Sequence, residues 1–263
     1  MPIDPSLLRS RAAALTEQVY DPPALAASVR TLLDDYADRA HRASPRLSEG
    51  GLAKAYKAPA PVVRAIVTAL RGFAQASPHA TLALLRAFWE GESREERRIA
   101  AELLGLVAPQ CPTEAMLLIE AWLPGIESSE SADALAEYGL GPLMRADPAA
   151  HLPNAQRWAR HPSKWTRRFG LAALTPLVKD KKWDNVPGVF QVLHPVMTDS
   201  EPEVRAAAIA ILRGLVPKSP VEVGRFLREQ AERDNHNTQA IIRAVMLRLA
   251  PEIQAELSRL MRA

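Results

Sequence analysis

The chain reads as all-α, an α-solenoid of about six stacked helical repeats, and three observations carry that reading. Hydrophobic residues make up 48% of its 263 positions but aromatics only 5%, with Ala, Leu and Arg abundant and β-branched residues sparse, a helix-forming composition. Proline and glycine punctuate the chain at short intervals, as turns between helices of modest length require. Five segments then open an amphipathic helix with a basic residue in one register: Pro61-Val-Val-Arg64, Glu95-Glu-Arg-Arg98, Trp165-Thr-Arg-Arg168, Pro202-Glu-Val-Arg205 and Gln239-Ala-Ile-Ile-Arg243. Their marked residues are separated by 34, 70, 37 and 38 positions, and the 70 is a double step. Such a period accommodates two helices of about 12 to 15 residues and two short turns, and each pair must bury its apolar face against its neighbours.

Residues 1–42 read as an N-terminal helical hairpin, its two helices parted at Pro22-Pro23 because proline suits a first turn and breaks an interior. Residues 43–60 hold Ser44-Pro45, Gly50-Gly51 and Pro59 and form the longest irregular stretch, a loop or hinge. From 61 to 263 a single continuous repeat array is expected. Helices are predicted over 61–76, 79–89, 93–107, 113–122, 129–145, 148–160, 163–178, 187–198, 201–216, 219–233, 237–249 and 251–261. Pro142, Pro153, Pro176 and Pro195 fall inside these spans, and each predicts a kink or an earlier helix end.

Halving the double step lands on Asp133, in Ser128-Ser129-Glu130-Ser131-Ala132-Asp133, followed like the other marked residues by an apolar helical run. Two readings of this carboxylate stand. An acid near a helix start, after several serines, serves as a cap or dipole partner. In the repeat register it instead faces the same way as the arginines, a fixed anion opposing DNA binding, and such a group suits a positive charge that appears only in a transition state.

The arginine column also has two readings. A cation near a helix N-terminus is disfavoured by about 0.3–1 kcal/mol, so five such placements ask for a partner. Asp199 and Glu92 stand six residues before Arg205 and Arg98, the spacing of the inter-repeat ladder in HEAT-like repeats, whereas Arg64, Arg168 and Arg243 lack that acid. Arginines aligned on a concave basic face would meet a phosphate backbone. Around Arg168 the case is strengthened by a patch of eight cations, Arg157, Arg160, Lys164, Arg167, Arg168, Lys179, Lys181 and Lys182, against Asp180 alone. The whole chain carries only +3, with a pI near 9.2, which permits a polyanionic partner without demanding one.

Other chemistries find little support. Six histidines show no ligand spacing with each other or with Cys111, so no metal or cofactor is expected. The lone cysteine excludes an intrachain disulfide and suits a reducing cytoplasm. Charges at Asp4, Arg9, Arg11 and Glu17 interrupt any signal peptide, no run of about 18 apolar residues spans a membrane, and a monomer is expected. Trp89, Trp122 and Trp158 read as packing residues, while Trp165 opens the helix that carries Arg168 and could stack on a base.

Four stretches together resemble the bacterial DNA alkylation repair proteins of the AlkD type, HEAT-like-repeat DNA glycosylases that remove N3- and N7-alkylated purines. They are Tyr56-Lys-Ala-Pro-Ala-Pro-Val-Val-Arg64, Phe88-Trp89 followed by Arg94 to Arg98, Ala132-Asp133-x-Leu135 running to Gly141-Pro142-Leu143, and Trp165-x-x-Arg168. The resemblance spans roughly residues 50 to 250 and implies that Asp133 is the catalytic carboxylate and Arg168 a DNA contact. It implies duplex DNA as substrate, a good leaving group in the cationic base, and a carboxylate near C1′ that stabilises an oxocarbenium-like sugar. The family's aromatic positions before the aspartate are held here by Ser128 and Ser129, and a third by Ala210.

Three functions follow from these residues. The first is an N-alkylpurine glycosylase using Asp133, with Arg64, Lys164, Trp165, Arg167, Arg168, Arg205 and Arg243 along the DNA. The second is a non-catalytic DNA-binding repeat protein, for which the missing tryptophans argue. The third is a protein-interaction scaffold, for which the modest net charge argues.

Overall fold

An aspartate caps each of the first two α-helices. Asp4 accepts from the Ser6 and Leu7 amides at the start of α1 (Pro5–Ala14), and Asp21 accepts from Ala24 N ahead of Pro22-Pro23 at the start of α2 (Pro22–Asp35). A computed structural model describes residues 3–37, 56–91 and 93–262. Most of the expected 43–60 loop, and Glu92, lie outside the described residues.

The remaining helices are α3 (Ala60–Ala76), α4 (Pro78–Trp89), α5 (Arg94–Val107), α6 (Pro112–Trp122), α7 (Ser129–Ala134), α8 (Gly141–Ala146), α9 (Pro148–Trp158), α10 (Lys164–Ala172), α11 (Thr175–Lys179), α12 (Val186–Leu193), α13 (Pro202–Leu215), α14 (Pro220–Ala231), α15 (His236–Met246) and α16 (Pro251–Leu260). A π-helical segment, Leu135–Leu140, joins α7 to α8. Proline stands at the first or second position of most of them, where its missing N–H is no loss. The fold is all-α and solenoid-like, as its composition and period predict.

Three of the four internal prolines act as expected. Pro176 divides the predicted 163–178 helix into α10 and α11, Pro195 ends α12 in a 3-10 turn over His194–Val196, and Pro142 follows the π-helical segment. Pro153 does not break α9, which continues to Trp158. Its ring lies on an exposed face, where water can satisfy the carbonyl that loses its amide partner.

Contacts cluster the chain into two units, Met1–Leu143 and Met144–Ala263. In the first, α1, α3, α5 and α7 with its π-helical extension pack in succession as one layer, and α2, α4 and α6 follow as a second. Leu25, Leu33, Ile66, Leu70, Leu84, Leu85, Phe88, Ile99, Leu103 and Leu104 fill the space between them, each contributing about 1.5–3 kcal/mol by leaving water. The second unit repeats the scheme, with α10, α13 and α15 in one layer against α9, α12, α14 and α16. Trp158 meets Phe169 edge-on at 4.8 Å, and Phe190 stacks on Phe226 at 4.5 Å.

Candidate active site

The repeat register holds as a structural position. Arg64, Arg98, Asp133 and Arg168 are each the fifth residue of their helices, α3, α5, α7 and α10. Arg205 is the fourth of α13, and Arg243 sits a turn deeper, eighth in α15.

Asp133 is half-buried and lines an open cleft of about 420 Å³ in the first unit. Ala58, Ala60 and Val63 form one wall, Arg94, Glu95 and Arg98 of α5 another, and Glu130, Asp133, Ala134, Glu137 and Tyr138 the third. Asp133 is thus not a lone anion. Four carboxylates and two guanidiniums line the cleft, and the guanidiniums are already engaged: Arg94 Nη1 donates to Glu130 at 3.3 Å and Arg98 Nε to Glu102 at 2.8 Å. Burial alone would lower the Arg98 pKa, but Glu102, Tyr138 and Glu137 more than offset it, so the net shift is upward and the charge is secure. Glu95 accepts from the amides of Tyr56 and Ala58, both at 3.3 Å, on either side of Lys57, whose φ of 54° is a left-handed value rare for a side chain of that size. One carboxylate therefore fixes the edge of the cleft where the chain enters α3.

The serines before Asp133 have structural work. Ser128 is buried and caps α7, accepting from Ser131 N at 3.2 Å and donating to Ser131 Oγ at 3.1 Å. Ser129 is half-buried as the first residue of α7, and Ala210 is exposed on α13.

The basic residues expected to meet DNA divide by what they already hold. Arg167 grips Asp199 with Nε at 2.6 Å and Nη2 at 3.1 Å, and its Nη1 donates to the carbonyls of His161 and Pro162. Lys164 lies 2.9 Å from Glu203 and 3.2 Å from Glu201, with its ammonium 4.8 Å from the half-buried Trp165 ring. Arg168 donates to the Glu203 carbonyl at 2.6 Å. Arg205 turns back to the carbonyls of Asp199 and Ser200. Exposed Arg243 donates to its neighbour Gln239 at 2.9 Å, and Arg64 is exposed.

Acid–base rungs do join successive repeats, with partners other than the pairs that the spacing marks. The Asp199 carboxylate takes Arg167 of α10, while Arg205, six residues on from Asp199, reaches the backbone carbonyls of Asp199 and Ser200. Arg98 takes Glu102, one turn on in its own helix. The rung recurs: Arg94 opens α5 and reaches Glu130 in α7, as Lys164 opens α10 and reaches Glu203 in α13. Trp89, Trp122 and Trp158 are packing residues, the first two stacked at 4.5 Å and all three buried. Tyr138 was not singled out by its sequence context, although it shares the cleft with Asp133 and carries Arg98 at 5.4 Å from its ring. Among the described residues no group of three or more His, Cys, Asp or Glu is placed to hold a metal ion, and no helix is long and apolar enough to cross a membrane.

Stacked helix pairs with one carboxylate at the register position of the arginines define a helical-repeat protein of the solenoid class. The chain belongs to the DNA alkylation repair enzyme family, whose model matches residues 53–252. Its fold is similar to that of a predicted DNA alkylation repair enzyme from Enterococcus faecalis, with a TM-score of 0.59 and 19% identity over 78% of this chain and 86% of that one. No curated protein matches it. Family membership gives the chain a part in the repair of alkylated DNA, with DNA as its substrate.

Proposed function

We propose that the protein is a DNA glycosylase that excises N3- and N7-alkylated purines from duplex DNA, with Asp133 as the catalytic carboxylate. The observation that carries this reading is the position of Asp133: half-buried, on the wall of an open cleft large enough for a sugar, and not closed into the core. The C1′–N9 bond breaks with its electron pair passing to the purine, which loses its positive charge and leaves as a neutral base. The sugar becomes oxocarbenium-like, and the cleft's excess of carboxylates stabilises it. Water then adds its oxygen to C1′ and releases a proton, the Asp133 carboxylate orienting it, to give an abasic site. Phosphate contacts fall to cations outside the cleft, led by Arg168 with Arg64 and Arg243, while Lys164, Trp165, Arg167 and Arg205 hold the surface that presents them. The activity belongs in the cytoplasm with the chromosome.

The test is release of abasic sites from duplex carrying N7-methylguanine. Asp133→Asn is expected to lower the single-turnover rate by about 100-fold, the scale of one transition-state contact. Release at the wild-type rate would remove Asp133 from the reaction. A second reading, DNA binding without excision, is favoured by Ser128, which is committed to capping where a ring would have packed against the sugar. It requires salt-sensitive duplex binding with no abasic product from the wild-type chain.

A further inference from the structure

Lys57, just ahead of the cleft wall, is held in a backbone conformation that its side chain disfavours. Its φ of 54° lies in the left-handed region, where a Cβ crowds the following carbonyl oxygen and glycine alone is at ease. One carboxylate fixes both of its neighbours: Glu95 Oε2 accepts from Tyr56 N and Glu95 Oε1 from Ala58 N, each at 3.3 Å. Tyr56 is buried on one side, and Ala58 lines the cleft of Asp133 on the other. Between them Lys57 is exposed, and among the described residues no carboxylate is paired with it. Backbone strain of this kind persists where surrounding contacts over-determine it, and it collects at ligand sites.

A cation is needed at this edge. A sugar seated against Asp133 brings a phosphate on either side of it to the mouth of the cleft. The four carboxylates lining the cleft repel those phosphates, and its two guanidiniums are held by Glu130 and Glu102. We propose that Lys57 is a substrate-positioning residue, its ammonium taking a phosphate that flanks the target sugar while Glu95 holds the backbone that presents it. The proposal rests on the reading of the Asp133 cleft as the place where the damaged nucleotide sits.

The experiment measures binding by the full-length protein to duplexes that carry a tetrahydrofuran abasic site, which has no base to excise. The phosphate on the 5′ or the 3′ side of that site is replaced in turn by an uncharged methylphosphonate. Wild-type protein is expected to lose affinity roughly three- to fivefold at one of the two positions, the scale of one exposed ion pair. Lys57→Gly removes the charge and relieves the strain, so its urea midpoint is expected to be no lower than that of the wild type. It should bind the unmodified duplex more weakly by the same factor, with a salt slope flatter by about 1, and lose nothing further to that methylphosphonate. Lys57→Asn, also uncharged and tolerant of this backbone region, repeats the test with a side chain in place, and Lys57→Arg should keep the sensitivity. A methylphosphonate loss as large in Lys57→Gly and Lys57→Asn as in the wild type overturns the proposal, as does a wild type indifferent to both replacements. Either of those results from a wild type that excises N7-methylguanine sinks the role of Lys57 and leaves the glycosylase reading standing. Coupling between Lys57 and one phosphate in a protein that excises nothing upholds the contact and rejects glycosylase activity.

Discussion

Arg167 and Arg168 are adjacent and both cationic, yet their surroundings give them different work. The Arg167 side chain is 17% exposed and its partner Asp199 only 6%, and the guanidinium makes four hydrogen bonds, two of them to that carboxylate. Removing Asp199 leaves a largely buried cation short of its partner, so Asp199→Ala should cost about 2–3 kcal/mol in urea unfolding. Arg243→Ala, on an exposed side chain bonded to its neighbour Gln239, should stay within about 0.5 kcal/mol of wild type. Glu203 sets the pH dependence of the same rung. The Lys164 ammonium holds its carboxyl below the ordinary value of 4.5, against the opposing effect of desolvation. With the folded pKa depressed, the stabilisation is present above about pH 4.5 and is lost as pH falls through the lowered value. Lys164, raised above its ordinary 10.5 chiefly by Glu203, contributes below that pH and loses the contribution as pH rises through its own raised value. The stability gap between wild type and Glu203→Gln should therefore be constant from pH 6 to 9 and close in acid, read by denaturant midpoints at about pH 7 and 3.

At the scale of elements, the π-helical turn depends on a glycine far away in sequence. Gly105→Ala forces its new methyl against the Tyr138 carbonyl, and the overpacking should cost about 1–3 kcal/mol while displacing the turn that follows Asp133 and weakening excision more than DNA binding. Equal losses in both would mean that the turn only holds the stack together. The helices themselves were legible, since prolines mark their starts and apolar runs their buried faces. Pro142 announced an irregularity but not its form, because the choice between a kink and a π-helical turn is made by the gap that Gly105 leaves in α5. Asp133 was legible through its register, the fifth position of a helix whose counterparts carry arginine. Its acidic neighbours were not, because Glu130 and Glu137 join the cleft by sharing its helical face, and Glu95 by pinning the chain across it.

Across the whole molecule, the charge available to DNA is smaller than the composition suggests. A net +3 and a pI near 9.2 describe the sum, but Lys164 and Arg167 spend their charge on Glu201, Glu203 and Asp199. The cleft of Asp133 carries more carboxylates than guanidiniums and repels phosphate. Exposed Lys181 and Lys182, with Arg64 and Arg243, remain open to solvent, and Arg168 donates to the Glu203 backbone carbonyl. Each phosphate neutralised contributes about 0.9 to the slope of log affinity against log salt. Duplex binding should thus weaken with salt, Arg168→Ala should flatten the slope by about 1, and the Lys181→Ala, Lys182→Ala double variant by up to about 2. Arg167→Ala should leave the slope nearly unchanged while lowering the unfolding midpoint, since its charge already has a home inside the protein. A slope that falls as far for Arg167→Ala as for Arg168→Ala would mean that the rung opens on DNA and releases its arginine to the phosphates.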